Sequence, residues 1–330
     1  MKKVFALLLA ISMMLGASAL GSGSPEVVIN FAHVVSVDSP KGLAAEMFRE
    51  LMQERSGGRV EVNVFPASQL GTDAEITEQM MMDITHMNAP LTSVLPFIIP
   101  EFEIFDLPYL FDSRDMAFNA VHGTFGDTFG DLLAKHNMVL LGWWMGEFKQ
   151  IANNVRPLHT VEDLNGLRIR VSQSPVLVSQ FEAVANASSI PFAEVYASLQ
   201  TGVVDGLENP LTNIVNRSFY EVAGHIAMTD HGIILYPVLM SANMYKSLPA
   251  DLLELLHEVL DEVSAYQWPR SLAADGEEVA LLEATDGVEL VWWDEAERAR
   301  LFEAMSVSYD NFRATVPASE ELLELLETYR

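Results

Sequence analysis

The 330-residue chain contains no cysteine. That absence excludes disulfides, thiolate metal sites, a nucleophilic thiol and lipid attachment through a thioether. Positive charge is scarce as well: 19 Lys and Arg stand against 46 Asp and Glu, six of the cations are lysines, and the formal net charge is −27. A field of that sign repels nucleic acid and anionic membrane surfaces, and no nucleic-acid partner is expected. The usual catalytic signatures are missing too. No G-x-G-x-x-G follows a strand pattern, and there is no G-x-x-x-x-G-K-[ST], H-E-x-x-H or G-x-S-x-G. The eight histidines are scattered without metal-ligand spacing. These gaps argue against an enzyme, and no metal or cofactor is expected.

One stretch alone is directed to a membrane. "MKKVFALLLAISMMLGASAL" carries two lysines, a short apolar run and Ala17-Ser18-Ala19 as a small-residue cleavage site. That order is the layout of a secretory signal peptide, assigned to residues 1–24. The run is too short for a confident span. With 50% hydrophobic residues, the remainder is expected to fold as a soluble exported protein, most simply in a bacterial periplasm. Its length accommodates two domains, and no flexible linker, repeat or low-complexity tract divides them, so several crossings should join them.

The mature chain opens as strand, helix, strand, helix. "EVVINFAHVV" and "RVEVNVFP" alternate; "GLAAEMFRELMQERSGG" has helical spacing, with Ser39-Pro40 to open it and Gly57-Gly58 to stop it; "DAEITEQMMMDI" is the second helix. This order favours a largely parallel α/β sheet. "LPFIIPEFEIFDLPYLF" is too rich in proline to be one regular element and reads as a packed connection. "MVLLGWW", "NGLRIRV", "VV" at 203–204 and "VELVWW" read as strands. "SPVLVSQFEAVA", "PFAEVYASLQ", the long run from Pro249 interrupted by Pro269, "DEAERARLFEAM" and "SEELLELLETYR" read as helices.

One region departs from the acidic background. Lys149, Arg156, Arg168 and Arg170 lie between Phe148 and Ser172 against only Glu162 and Asp163. On "LRIRV", Arg168 and Arg170 share one strand face, and Arg170 is near the C-terminal end, where open α/β sheets bind ligands. A guanidinium there can take a carboxylate through two parallel hydrogen bonds; an ion-paired or solvated face would serve equally well. Downstream, "YASLQTGVVDGLENPLTN" sets Gly202 to close a helix, Asp205-Gly206 to turn, and Asn209-Pro210 to cap and start another helix. Each of these features has a purely architectural reading, as does Phe192 after Pro191.

Taken together, "NGLRIRVSQSPVLVSQFEAV", "PFAEVYASLQTGVVDGLENPLTNI" and "FYEVAGHIAMTDH" resemble the extracytoplasmic solute-binding subunit of TRAP transporters, the DctP-type family. "FAHVVSVDSP", "FPASQLGTDAEITEQ", "FDLPYLF" and "FKQIANN" agree in the same order. The resemblance runs from about residue 27 to the C-terminus and is most specific over 165–231. It implies a two-domain α/β clam of the periplasmic-binding-protein kind, with several crossovers and a long helix spanning both domains. Domain I is expected at residues 25–147 plus about 236–272, and domain II at 148–235 plus about 273–330. The implied ligand is a small organic acid held in the cleft, and the implied partners are a small and a large membrane subunit, with the chain itself a monomer. By the same resemblance Arg170 clamps the ligand carboxylate, Asn209 supports it and Phe192 packs on the ligand. Lys149 stands where many members carry arginine, so the second cation is a point charge rather than a fork. Trp143 or Trp144 would shape the pocket beside it. His33, Asp73, Gln173 and Tyr236 fall near family pocket positions. Asp83 and His86 also depart from the usual pattern. Leu91 or Thr92 replaces the acidic residue of sialic-acid-binding members, which disfavours that ligand. The competing readings are the ligand-binding input of a periplasmic sensor and, from another class, a periplasmic hydrolase or lyase.

Overall fold

The computed structural model describes residues 24–330, so the leader assigned to 1–24 lies essentially outside the described residues. From the first strand onward the chain forms βαβ units, as the alternating patterns predict. β1 (Val27–Ala32) leads into α1 (Pro40–Arg55), whose first turn is closed by Ser39: its hydroxyl accepts a hydrogen bond from the Gly42 amide at 3.1 Å. Gly57 and Gly58, both at positive φ, end the helix and return the chain to β2 (Val60–Phe65), parallel to β1. α2 (Asp73–Met81) begins with a capping box in which Thr72 and Glu75 satisfy each other's backbone amides. β3 (Met87–Asn88) then adds to β1. The proline-rich connection contains a 3₁₀ helix, Pro100–Asp106, that buries Phe102, Ile104 and Phe105.

α3 (Arg114–Val121) and α4 (Thr124–Ala134) lead to β4 (Met138–Asn153), far longer than the "MVLLGWW" stretch indicated. Beyond it come β5 (Arg168–Val171), α5 (Pro175–Glu182), β6 (Asn186–Ser189), α6 (Val195–Gln200), β7 (Gly206–Pro210), α7 (Leu211–Asn216), β8 (His225–Met228) and β9 (Ile233–Ser241). α8 (Ala242–Ser247), α9 (Ala250–Glu283), β10 (Glu289–Trp292), α10 (Glu295–Met305), α11 (Val307–Thr315) and α12 (Ser319–Glu327) complete the chain.

The strands run β2-β1-β3-β9-β4-β7-β5-β6, with β8 also on β4 and β10 on β8. The flanking units are parallel, but β4 and β9 in the middle are antiparallel to their neighbours. The sheet is therefore mixed rather than largely parallel. β4 changes partners along its length: Met138 to Phe148 pair with β9, whereas Lys149 to Asn153 pair with β7 and Ile151 to Asn153 also with β8. A single strand thus serves both halves of the clam. The second crossing is α9. Its Leu252, Leu256, Val259, Leu260 and Val263 enter a core with Ile29, Phe31, Phe48 and Trp144, while Leu282 enters another with Leu207, Ile214, Phe219 and Ile226. Each such buried side chain contributes about 1.5–3 kcal/mol. Pro269 lies inside this helix. Just before it, the Gln267 side-chain amide donates to the Met145 carbonyl at 2.6 Å and accepts from the Met145 N–H at 3.0 Å, beside an irregularity in the β4/β9 register. Gln267 therefore supplies the backbone partner that the bulged strand lacks.

Candidate ligand-binding site

Between the halves, a cavity of about 40 Å³, room for a few waters by the same measure, is lined from both sides. The β1/β9 half contributes Val34, Val35, Lys41, Ser68, Asp73 and Tyr236; the β5/β7 half contributes Arg170, Gln173, Phe192, Asn209 and Asn213. Six of the eight residues singled out by the sequence line it.

Arg170 and Arg168 part company despite sharing a strand face. Arg168 is exposed and gripped by Asp205, which also accepts from the Arg168 backbone N–H at 2.8 Å. Asp205 is thus an anchor for β5 rather than a turn residue. Gly206 opens β7, where a Cβ would stand 2.4 Å from the Ala152 carbonyl oxygen. Arg170 is buried, with Nε donating to the Ile190 carbonyl at 2.8 Å and Nη1 facing no protein partner. Burial pushes its guanidinium down to about 10, with Glu208 opposing, so it remains cationic at neutral pH.

Asn209 is not a helix cap. It sits at the end of β7, and α7 has no side-chain cap. Its Oδ1 accepts from Asn213 Nδ2 at 2.7 Å, which leaves its own NH₂ as a donor toward an anion. The strand "VV" at 203–204 is displaced to 206–210, and Val203 is exposed. Phe192 lines the cavity from a 3₁₀ turn, edge-on to Phe219 and 5.3 Å beneath the Arg217 guanidinium.

Lys149, expected to shape the pocket, does not reach it. Its ammonium lies 3.0 Å from Glu208 and 4.0 Å from Asp106, all three buried, with His231 close by. Glu208 therefore stands between two cations and couples Lys149 to Arg170. His33 is also displaced from the wall. It is fully buried edge-on to Phe31, and burial, with Lys41 adding to it, pushes its imidazole down to about 3. Trp143 and Trp144 belong to opposite cores because adjacent residues on a strand face opposite ways. Of the pair Leu91 and Thr92, Leu91 lines the cavity.

The residue that sequence reasoning missed is Lys41. It lies in the first turn of α1, buried, with Nζ donating to the Ala89 carbonyl at 2.9 Å and standing 3.9 Å from the centroid of the Tyr236 ring. Burial pushes its ammonium down to about 8, with Asp73 opposing. The signal was available: a lysine in a lysine-poor chain, placed at a helix N-terminus where the dipole disfavours cations. Asn213, next to Asn209, was missed for a plainer reason, since it falls inside a helical pattern.

A scan for known families matches residues 31–315 to the bacterial extracellular solute-binding protein family 7. The chain belongs to this family. It is 37% identical over 259 residues to a C4-dicarboxylate-binding periplasmic protein of Shewanella loihica, covering 78% of this chain and 76% of that one. A TRAP periplasmic solute-binding protein of Sulfurospirillum deleyianum, solved with bound succinate, superposes with a TM-score of 0.88 at 33% identity, over 93% of this chain and all of that one. The sugar-acid-binding protein of Advenella mimigardefordensis, solved with galactonate, gives the same TM-score at 27% identity, over 92% of this chain and 98% of that one. The fold is accordingly the two-domain α/β clam, and the chain is a TRAP-type extracellular solute-binding protein of family 7.

Proposed function

We propose that this solute-binding protein captures a short dicarboxylic acid outside the cytoplasmic membrane and hands it to the small and large membrane subunits of a TRAP transporter. The observation that carries the reading is a pair of buried cations, one from each half, on the wall of one cavity: Arg170 and Lys41. Arg170 takes one carboxylate through its free fork with help from the Asn209 amide; Lys41 takes the other. Closure strips water from both contacts and strengthens them. A bound dianion joins the halves, so the domain division expected at 147/148 and the hinge at β4 and α9 belong to the same proposal. So do the monomeric state and export by the leader.

No helix among the described residues is long and apolar enough to cross a membrane, which leaves energy coupling to the membrane subunits. Ligand is expected to be released unchanged, so the hydrolase reading predicts turnover that this one does not. Use as a sensor input would show in which genes lie beside this one. The experiment is thermal melting of the refolded, ligand-stripped protein against millimolar succinate, butyrate and galactonate. A ligand at about a thousand times its Kd adds roughly 4 kcal/mol, several degrees in Tm. A shift with succinate and none with butyrate is expected. Equal shifts from both would overturn the role given to Lys41.

A further inference from the structure

Most cations among the described residues are paired with a carboxylate. Of those that are not, Lys135 and Lys246 are exposed, Arg156 is held by the Asp163 and Asn165 carbonyls, and Lys41 and Arg170 line the cavity. Arg217 is the remaining one. It closes α7, with its N–H on the Asn213 carbonyl at 3.1 Å. The side chain is half-buried with no acid beside it, and burial pushes its guanidinium below the ordinary arginine value. The charge persists, because a guanidinium does not deprotonate in proteins. A cation at a helix C-terminus suits the dipole, but an exposed side chain would serve that preference without the desolvation. Instead the guanidinium lies 5.3 Å from the centroid of Phe192, within cation–π range. That ring lines the cavity and also packs against the Val34, Val35 and Ile76 cluster of the opposite half. Arg217 therefore stands at the seam between the halves, one aromatic ring away from the cavity.

We infer that Arg217 is the entry cation of the cleft: it draws an anionic ligand to the seam over Phe192 and yields it to Arg170, without belonging to the closed binding site. A dianion nearing a chain of net charge −27 is repelled over most of the surface. An uncompensated cation at the mouth is the local exception that concentrates the ligand there. Arg170 cannot serve, since it is only 2% exposed. A charge outside the final contacts acts on the rate of association and hardly on the rate of release. This role for Arg217 rests on the anionic ligand of the reading above and adds how that ligand reaches the cleft.

The test is stopped-flow fluorescence of succinate binding to the refolded, ligand-stripped native protein and to Arg217→Lys, Arg217→Gln, Arg217→Glu and Lys135→Gln, each checked for folding by circular dichroism. Lys135 is an exposed cation that does not line the cavity, so its variant carries the same change in net charge without touching the mouth. At about 10 mM salt the association rate should fall roughly three- to tenfold in Arg217→Gln and further in Arg217→Glu. Arg217→Lys and Lys135→Gln should stay near native, and dissociation rates should change little throughout. At about 1 M salt the association rates should converge, because screening then acts within a few ångströms. Equal slowing by lysine and glutamine at position 217, a loss confined to dissociation, or equal slowing by Lys135→Gln would overturn the entry role and leave the dicarboxylate reading standing. A native protein that binds no succinate would overturn both.

Discussion

The Lys41 ammonium rests 3.9 Å from the centre of the Tyr236 ring, which ties the first turn of α1 to the middle of β9 at the cavity wall. The contact holds a cation that burial has made only marginally basic, pushed down to about 8. A dicarboxylate arriving beside it raises that value again, so binding above pH 8 takes up a proton. Affinity should be full below pH 8 and fall as the pH rises beyond it. Lys41→Met should bind more weakly and lose the dependence. Calorimetry at pH 7 and pH 9, in buffers of different ionisation enthalpy, reads the proton directly. An affinity unchanged across that interval in the native protein would remove Lys41 from the site.

Arg170→Ala should abolish measurable carboxylate binding, a loss of about 2–5 kcal/mol, while the melting temperature of the ligand-free protein changes little. Arg170→Lys should recover only part, because an ammonium cannot reproduce the two parallel hydrogen bonds of the fork. Full recovery with lysine would show that charge alone suffices.

Lys149 predicts a different phenotype. With Glu208 at 3.0 Å and Asp106 at 4.0 Å in a buried setting, removing the cation strands two acids. Lys149→Met should therefore destabilise the fold by about 3–5 kcal/mol, and Lys149→Met combined with Glu208→Gln should restore much of it. Urea unfolding of both variants measures this. A fully stable single variant with weakened ligand binding would place Lys149 at the ligand after all.

Behind the cavity, Glu147 of β4 and Glu278 of α9 are buried close together. Ser271 donates to Glu147 at 2.9 Å and Thr212 to Glu278 at 2.9 Å. Burial, reinforced by Glu147, pushes Glu278 up to about 8, and burial also raises Glu147. Between the ordinary carboxylate value and pH 8 the native state holds a proton that the unfolded chain has released. Its contribution to stability is present at low pH and is lost as the pH rises through that window. Glu278→Gln should flatten the fall in Tm between pH 5 and pH 8. An unchanged slope would mean that other groups carry it.

Much of this was legible because local chemistry agreed with the final packing. Ser39-Pro40 and Gly57-Gly58 bracket α1, and the alternation in "LRIRV" set Arg170 on the side facing the cleft. The losses have physical causes. Residues 112–137 were not recognised as two helices because glycines interrupt the pattern. At Gly126 the glycine is demanded by packing, since a Cβ would sit 1.9 Å from the Val121 carbonyl oxygen. β9 is buried at every position, so it has no alternation to read, and it carries Pro237 where a central strand should have none. Asn209-Pro210 has the chemistry of a cap, but pairing with β4 overrode it. Lys149 and His33 were placed near the ligand by resemblance, which reports position along the chain and not the direction of a side chain.

Because β4 is the strand beside β9 over Met138–Phe148 and lies between β7 and β8 over Ile151–Asn153, neither half owns it. A gene cut after residue 147 would leave the first fragment with Met138–Met145 but without β9, and the second with β9 but without the β3 and β4 residues that flank it. Since β9 and α9 also return to the first half, the halves are not two consecutive stretches of chain that could be shuffled as modules. In this architecture a new specificity has to arise by changing side chains around a fixed frame, not by exchanging one jaw for another.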